Sequence, residues 1–260
     1  MQVSVDSRLL LLTLVIAARV ATMLALAPAI DRRAVPVWWR LAIGVPLAWA
    51  LAPTTLTALG DLPTAITWPL LVLEALNSLV VGALLAFAAN LVLAIVRYAG
   101  ALIGMQIGFA IVNAYDPQSG SQVSIIAHLY YLLTALLFFT LDVHLVVIRA
   151  IVLSVQLVPP FSLPDLSAGS LIVLRAYGDV FSVGLQAAAP VTLVLLLVSA
   201  AMGVIVKTAP QIHVLVVGFP VKIAVGLAVL GSSLVFFRGV VERTFAASGD
   251  LMARILGALT

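Results

Sequence analysis

Between Ala75 and Val96 the chain carries no ionised side chain. That run exceeds the roughly 20 residues an α-helix needs to cross the hydrocarbon core of a bilayer. Asn77 and Asn90 sit within it, and after Arg97 and Tyr98 the apolar pattern resumes to Val112. Together these are too long for one span. The segment is expected either to reach well beyond a membrane as one helix or to break near Arg97 and Gly100. The rest of the chain keeps to the same chemistry: 64% of its 260 residues are hydrophobic and 9% charged, with a mean hydropathy of +1.26. A soluble domain carries roughly a quarter charged residues, and so few ionised groups cannot keep a large surface wet. Cysteine is absent, which excludes disulfides, thiolate metal sites and cysteine nucleophiles. The net charge of +3 comes from cations spread along the chain, at most two of them adjacent, so no nucleic-acid patch is expected.

Other apolar segments follow the same logic. Leu9 to Ile30 is long enough to span, and Arg19 near its middle must face protein or snorkel. Ala25-Leu26-Ala27 imitates a signal-peptide cleavage site, but Asp6 and Arg19 argue for a retained first helix. Asp31, Arg32, Arg33 and Arg40 mark a charged turn with Trp38 and Trp39 at an expected membrane interface. Leu41 to Leu59 follows, where Pro46 and Pro53 are expected to kink or end the helix. Asn113 to Gln122 has turn chemistry, with Asp116-Pro117 and then Ser119-Gly120. Val123 to Leu141 is the next helix, and Val143 to Val158 continues until Pro159-Pro160 stops it. Leu171 to Gln186 reads as an amphipathic stretch. Ala187 to Val206, broken at its start by Pro190, and Val214 to Phe237 form a helical hairpin around a turn at Lys207, Pro210 and Gln211. The fold class expected is all-α and polytopic.

Gly100, Gly104 and Gly108 recur every fourth residue and would line one helical face, where another backbone can approach closely. Generic helix packing accounts for that. A functional reading gains weight because Met105, Gln106 and Phe109 lead straight into the polar loop, and non-helical backbone at membrane depth is tolerated only inside protein or beside a water-filled cavity. Asp142 and His144, with His128, could suggest a proton relay, but a spacing of two places neighbours on nearly opposite sides of a helix. A satisfied polar cluster or helix-end solvation is the better account. No metal-ligand spacing, nucleophile elbow, P-loop or dinucleotide fingerprint is present, so neither catalytic residues nor a cofactor nor a metal are expected. Gly218, Pro220 and Lys222 sit in the return helix of the hairpin, either as a kink with an interfacial lysine or as a lock to a neighbouring subunit.

Taken in order, these segments resemble the FliR/SpaR/YscT export-gate family of bacterial type III secretion. The resemblance rests on Gly100-Ala101-Leu102-Ile103-Gly104-Met105-Gln106-Ile107-Gly108-Phe109, Asp116-Pro117 with Ser119-Gly120, and Leu141-Asp142-Val143-His144. Ser154 with Pro159, Ala189-Pro190, Ala209-Pro210-Gln211-Ile212 and Gly218-Phe219-Pro220-Val221-Lys222-Ile223 extend it over essentially the whole chain. Val143, Lys207 and His213 stand where glycine, arginine and asparagine are common in that family. Asp142 and His144 favour its flagellar branch.

The resemblance implies a FliP-like helical part over 1–170 followed by a FliQ-like hairpin and cytoplasmic tail over 171–260. It implies assembly with FliP and FliQ subunits, FlhB and FlhA, in the bacterial inner membrane at the flagellar basal body, with secreted flagellar proteins as cargo and lipid as surroundings. The segment from about Gln106 to Gln122 would plug the pore, using Met105, Gln106, Gly108, Phe109, Ile111, Asn113, Tyr115, Asp116, Pro117 and Gly120. Lys207, Pro210, Gln211, Gly218, Pro220 and Lys222 would make the hairpin turn and subunit contact. The rival is a small-molecule or ion transporter with broken helices. It expects matched helix breaks, whereas the flanks of 113–122 and 207–211 do not resemble each other.

Overall fold

The computed structural model describes residues 7–26, 36–59, 67–109, 124–162, 164–208 and 214–260. Among the described residues the chain forms seven helices and no strand: α1 (Ser7–Ala25), α2 (Val37–Leu59), α3 (Trp68–Ile107), α4 (Ile125–Thr140), α5 (Val143–Leu157), α6 (Leu166–Thr208) and α7 (Val214–Leu259). Three of them, α3, α6 and the segment of α7 from Val217, are long and apolar enough to cross a membrane, and the bent pair α4–α5 brings the number to four if it acts as one span. The protein is an all-helical, polytopic membrane protein.

The long apolar run resolves into one unbroken helix. α3 has 40 residues, about 60 Å at 1.5 Å per residue, twice the hydrocarbon thickness. Arg97 does not break it because its side chain is exposed and its guanidinium lies 4.6 Å from the Tyr131 ring centroid. The helices also continue through their prolines. Pro46 and Pro53 lie inside α2, Pro190 inside α6 and Pro220 inside α7. A proline deletes one backbone hydrogen bond, and a helix with many others around it can continue through the loss. The amphipathic stretch and the apolar helix separated in sequence at Pro190 are therefore one 43-residue helix.

Two compact units emerge, one formed by 1–91, 142–177 and 246–260, the other by 92–141 and 178–245. In the first, α2 turns a small-residue face towards α1. Gly44 lies against Val20, Ala21 and Leu24, and Ala48 and Ala52 are fully buried. α3 comes closer still: a Cβ on Gly82 would sit 2.5 Å from the Arg19 carbonyl oxygen. Arg19, 2% exposed, donates from Nη1 to the carbonyls of Ser154 (2.6 Å) and Val158 (2.7 Å). Both carbonyls lie at the C-terminal end of α5, where a cation is favoured; that of Ser154 also accepts from the Val158 N–H at 3.1 Å. The backbone N–H of Phe161, which has a left-handed φ of 68°, donates to the buried Glu74 carboxylate, itself within electrostatic reach of Arg19. The arginine that the sequence places at membrane depth thus faces protein.

In the second unit, α3 and α4 form an antiparallel hairpin with a register set by three contacts. Gly104 meets Ser124, Gly100 meets Ala127, and Arg97 meets Tyr131. α7 packs on α4 through Tyr130 and Phe237, with ring centroids 4.2 Å apart. α6 packs on α3 through Gly184, where a Cβ would lie 2.5 Å from Cδ1 of Tyr98.

Candidate functional site

The C-terminal end of α3 is where the glycine series, the start of the polar segment and both arms of the long hairpin meet. Gly100 has no room for a side chain, since a Cβ there would lie 2.5 Å from the Ala127 Cα. Gly104 is pressed against the Ser124 hydroxyl. Ser124 caps α4, accepting from the Ala127 backbone N–H at 3.4 Å. Its position just before an apolar run is an N-cap signal that the sequence reading passed over.

Gly108 does something different from its two predecessors. It was expected on the same packing face, but it stands one residue past the helix with φ +106°. Its N–H donates to the Met105 carbonyl at 3.2 Å, and the Phe109 N–H to the Gly104 carbonyl at 3.1 Å. This pair of bonds is the Schellman arrangement, which stops a helix at a residue that glycine alone tolerates well. The fourfold spacing therefore holds two packing glycines and one stop. A Cβ on Gly108 would also meet the Phe219 ring, 2.6 Å from Cε1.

The residue before the stop is the firmest point. Ile107 is fully buried and fits against Gly226 of α7, where a Cβ would lie 2.8 Å from its Cγ1; Leu195 of α6 lies at the same spot. Phe219, Gly226, Ser124 and Leu195 belong to this site, and the sequence reading singled out none of them as site residues. Gly226 carried a weak signal as an isolated glycine in an apolar helix; Leu195 carried none.

Met105 and Gln106 point the other way. Met105 is 60% exposed, and both line an open groove of about 460 Å³ with Leu102 of α3 and Leu185, Thr192, Leu193 and Leu196 of α6. Phe109 is half-buried. Ile111, Asn113, Tyr115, Asp116, Pro117 and Gly120 lie outside the described residues. Because Gly104 touches Ser124, the helices on either side of that segment begin and end it at one place.

On the hairpin, Lys207 is exposed in the last turn of α6, where a cation complements the helix dipole. Gly218 is buried, Pro220 exposed and Lys222 half-buried; Pro210 and Gln211 lie outside the described residues. Among the described residues Lys222 has no carboxylate within ion-pair distance.

Asp142 and His144 require a correction. The structure brings His144 Nε2 to 4.0 Å from Asp142 Oδ1. The opposite-sides argument assumed a continuous helix, whereas Asp142 adopts the left-handed conformation (φ 54°, ψ 26°) at a 68° bend between α4 and α5. Asp142 is well exposed at that elbow and His144 half-buried, which fits a helix end partly open to its surroundings.

The model of the family described as bacterial export proteins, family 1, matches residues 10–248. The chain is 32% identical to the flagellar biosynthetic protein FliR of Pectobacterium carotovorum subsp. carotovorum over 243 residues, covering 93% of this chain and 91% of that one. It is 29% identical to the FliR of Escherichia coli (strain K12) over 241 residues, with the same coverage of 93% and 91%. The FliR of Bacillus subtilis (strain 168) matches at 30% over 187 residues, 71% of this chain and 72% of that one.

Proposed function

We infer the function from one premise: the chain belongs to the bacterial export proteins, family 1. It is a membrane subunit of the flagellar type III protein export gate, as its kinship with flagellar biosynthetic proteins along nearly its whole length supports. In the finer reading, a FliP-like part over 1–170 and a FliQ-like hairpin over 171–260 assemble with FliP and FliQ subunits, FlhB and FlhA in the inner membrane of the basal body. The chain acts without catalysis. It forms part of a conduit for unfolded flagellar proteins, and the segment from about Gln106 to Gln122 closes that conduit when no cargo is present.

The observation that carries the plug is the anchoring of its root. Ile107 is clamped between Gly226 and Leu195, Gly108 ends the helix in a conformation reserved for glycine, and Ser124 at the far end returns to Gly104. A segment held at both ends at one place can be pushed aside by cargo and fall back without any bond being broken. Exposed Met105 and half-buried Phe109 supply apolar surface where it leaves the helix, of the kind that seals by excluding water. Deletion of Asn113 to Gly120 in the assembled complex should raise ion leakage across the membrane while export of flagellar substrates continues. Unchanged permeability, in a complex of wild-type composition, overturns the plug; failure to co-purify with FliP and FliQ subunits overturns the gate reading itself.

A further inference from the structure

We propose that the outer face of α2, continued by the first turn of α3, is a lipid-contacting surface whose tryptophans mark the two edges and the middle of the bilayer hydrocarbon. This rests on the membrane reading above and adds which surface the lipid covers and at what depth.

All four tryptophans of the chain stand on these two helices, at positions 38, 39, 49 and 68. They are turned outwards, with exposures of 80%, 66%, 45% and 83%. The small residues Gly44, Ala48 and Ala52 occupy the inner side of α2. A helix destined for close contact with another helix on its outer side would carry its small residues there; α2 carries indoles.

Their heights follow from the contacts within this unit. Gly44 of α2 lies level with Val20 to Leu24 of α1, and Gly82 of α3 with Arg19 and Thr22. Asn90 donates to the Leu26 carbonyl, so α3 runs parallel to α1. α2 must run antiparallel to both. Were it parallel, Leu59 and Trp68 would be separated by about 45 Å along the axis at 1.5 Å per residue, and the chain between them spans at most about 30 Å. At the same rise Trp38 stands about 9 Å to one side of the shared level and Trp68 about 21 Å to the other. The two rims are therefore about 30 Å apart, the thickness of a hydrocarbon core. Trp49 falls about 8 Å from Gly44 towards Trp68, near the middle, and it is the least exposed of the four.

Charge agrees with this placement. No ionised residue occurs from Leu41 to the end of α2 at Leu59, and Arg40 stands in the first turn of α2 beside Trp39, at the rim. On α3 the acid within this slab, Glu74, is turned inwards and only 4% exposed. Indoles favour the hydrocarbon edge because the ring is apolar and the N–H finds a partner among the headgroups.

The test uses the complex assembled with its partner subunits, reconstituted in phosphatidylcholine vesicles brominated either near the headgroup or near the chain end. The emission of each site is the difference between wild type and Trp38→Phe/Trp39→Phe, Trp49→Phe or Trp68→Phe. Emission from 38/39 and from 68 should be lost mainly with shallow bromines, and emission from 49 mainly with deep ones. If the complex floats with the vesicles and these differences are insensitive to bromine, a protein partner covers the face and the proposal fails. If they are quenched instead by aqueous iodide, the face is wet and the proposal fails equally. A complex that does not float with vesicles overturns the membrane reading beneath it.

Discussion

The guanidinium of Arg19 donates to the backbone carbonyl of Val158 at 2.7 Å, joining residues 139 positions apart in the chain. The same nitrogen serves Ser154, and Glu74 supplies the balancing charge. Removing Arg19 alone leaves a buried carboxylate and two helix-end carbonyls without their cation, so Arg19→Met should cost about 3–5 kcal/mol. The double variant Arg19→Met/Glu74→Gln should recover part of that loss, because no lone charge remains. Thermal unfolding of the detergent-purified complex measures both. Equal destabilisation by the single and double variants would show that the charge balance is irrelevant.

Close backbone approach at Gly100 should make Gly100→Ala destabilising by about 1–3 kcal/mol, since backbone rather than a flexible side chain blocks the new methyl. Gly231 has nothing within 4 Å of a Cβ, and Gly231→Ala should be neutral or stabilising by up to about 1 kcal/mol through helix propensity. Chemical denaturation of the two variants side by side separates packing from propensity.

Gly108→Ala combines a strained backbone with a clash against the Phe219 ring. It should cost about 1–3 kcal/mol, and Phe219→Ala in the same chain should relieve the clash but not the strain. Calorimetry on the single and double variants should therefore find incomplete rescue; full rescue would mean that φ at this position is free to change.

Asp165 caps α6 through Oδ1, which accepts from the Ser167 hydroxyl (2.6 Å), the Ser167 N–H (3.0 Å) and the Ala168 N–H (3.2 Å). The Ser167 hydroxyl, then the Ala168 N–H, hold its carboxyl below the ordinary aspartate range. A depressed folded-state pKa stabilises above the unfolded value, so the cap is intact at neutral pH and lost as pH falls through the folded value. Amide exchange at Ser167 and Ala168 should accelerate at acid pH in the wild type and already be fast at neutral pH in Asp165→Ala.

The glycine series shows how far local pattern reaches. Its fourfold spacing was enough to place Gly100 and Gly104 on one face, because helical periodicity is a property of the segment itself. The same spacing misassigned Gly108, since where a helix stops depends on bonds closing behind it and on Phe219, more than a hundred residues later. Asp142 and His144 were separated on paper by a periodicity that the bend at Leu141–Asp142 had already ended. Pro190 misled in the opposite direction, as it was read as a break in a helix that neighbouring hydrogen bonds carry through.

By itself, then, the sequence determined that the chain is helical and meant for an apolar environment, and where its polar interruption falls. Those properties are set by runs of side chains along single segments. The tertiary structure alone decided what Arg19 satisfies, which residues clamp Ile107, and how burial is divided: 61% of the most apolar stretch of α3 is inside the chain, against 17% in α6 and 22% in α7. Hydropathy is summed along one segment, whereas burial and partnership arise between segments, so equal apolarity in sequence says nothing of which neighbour covers it.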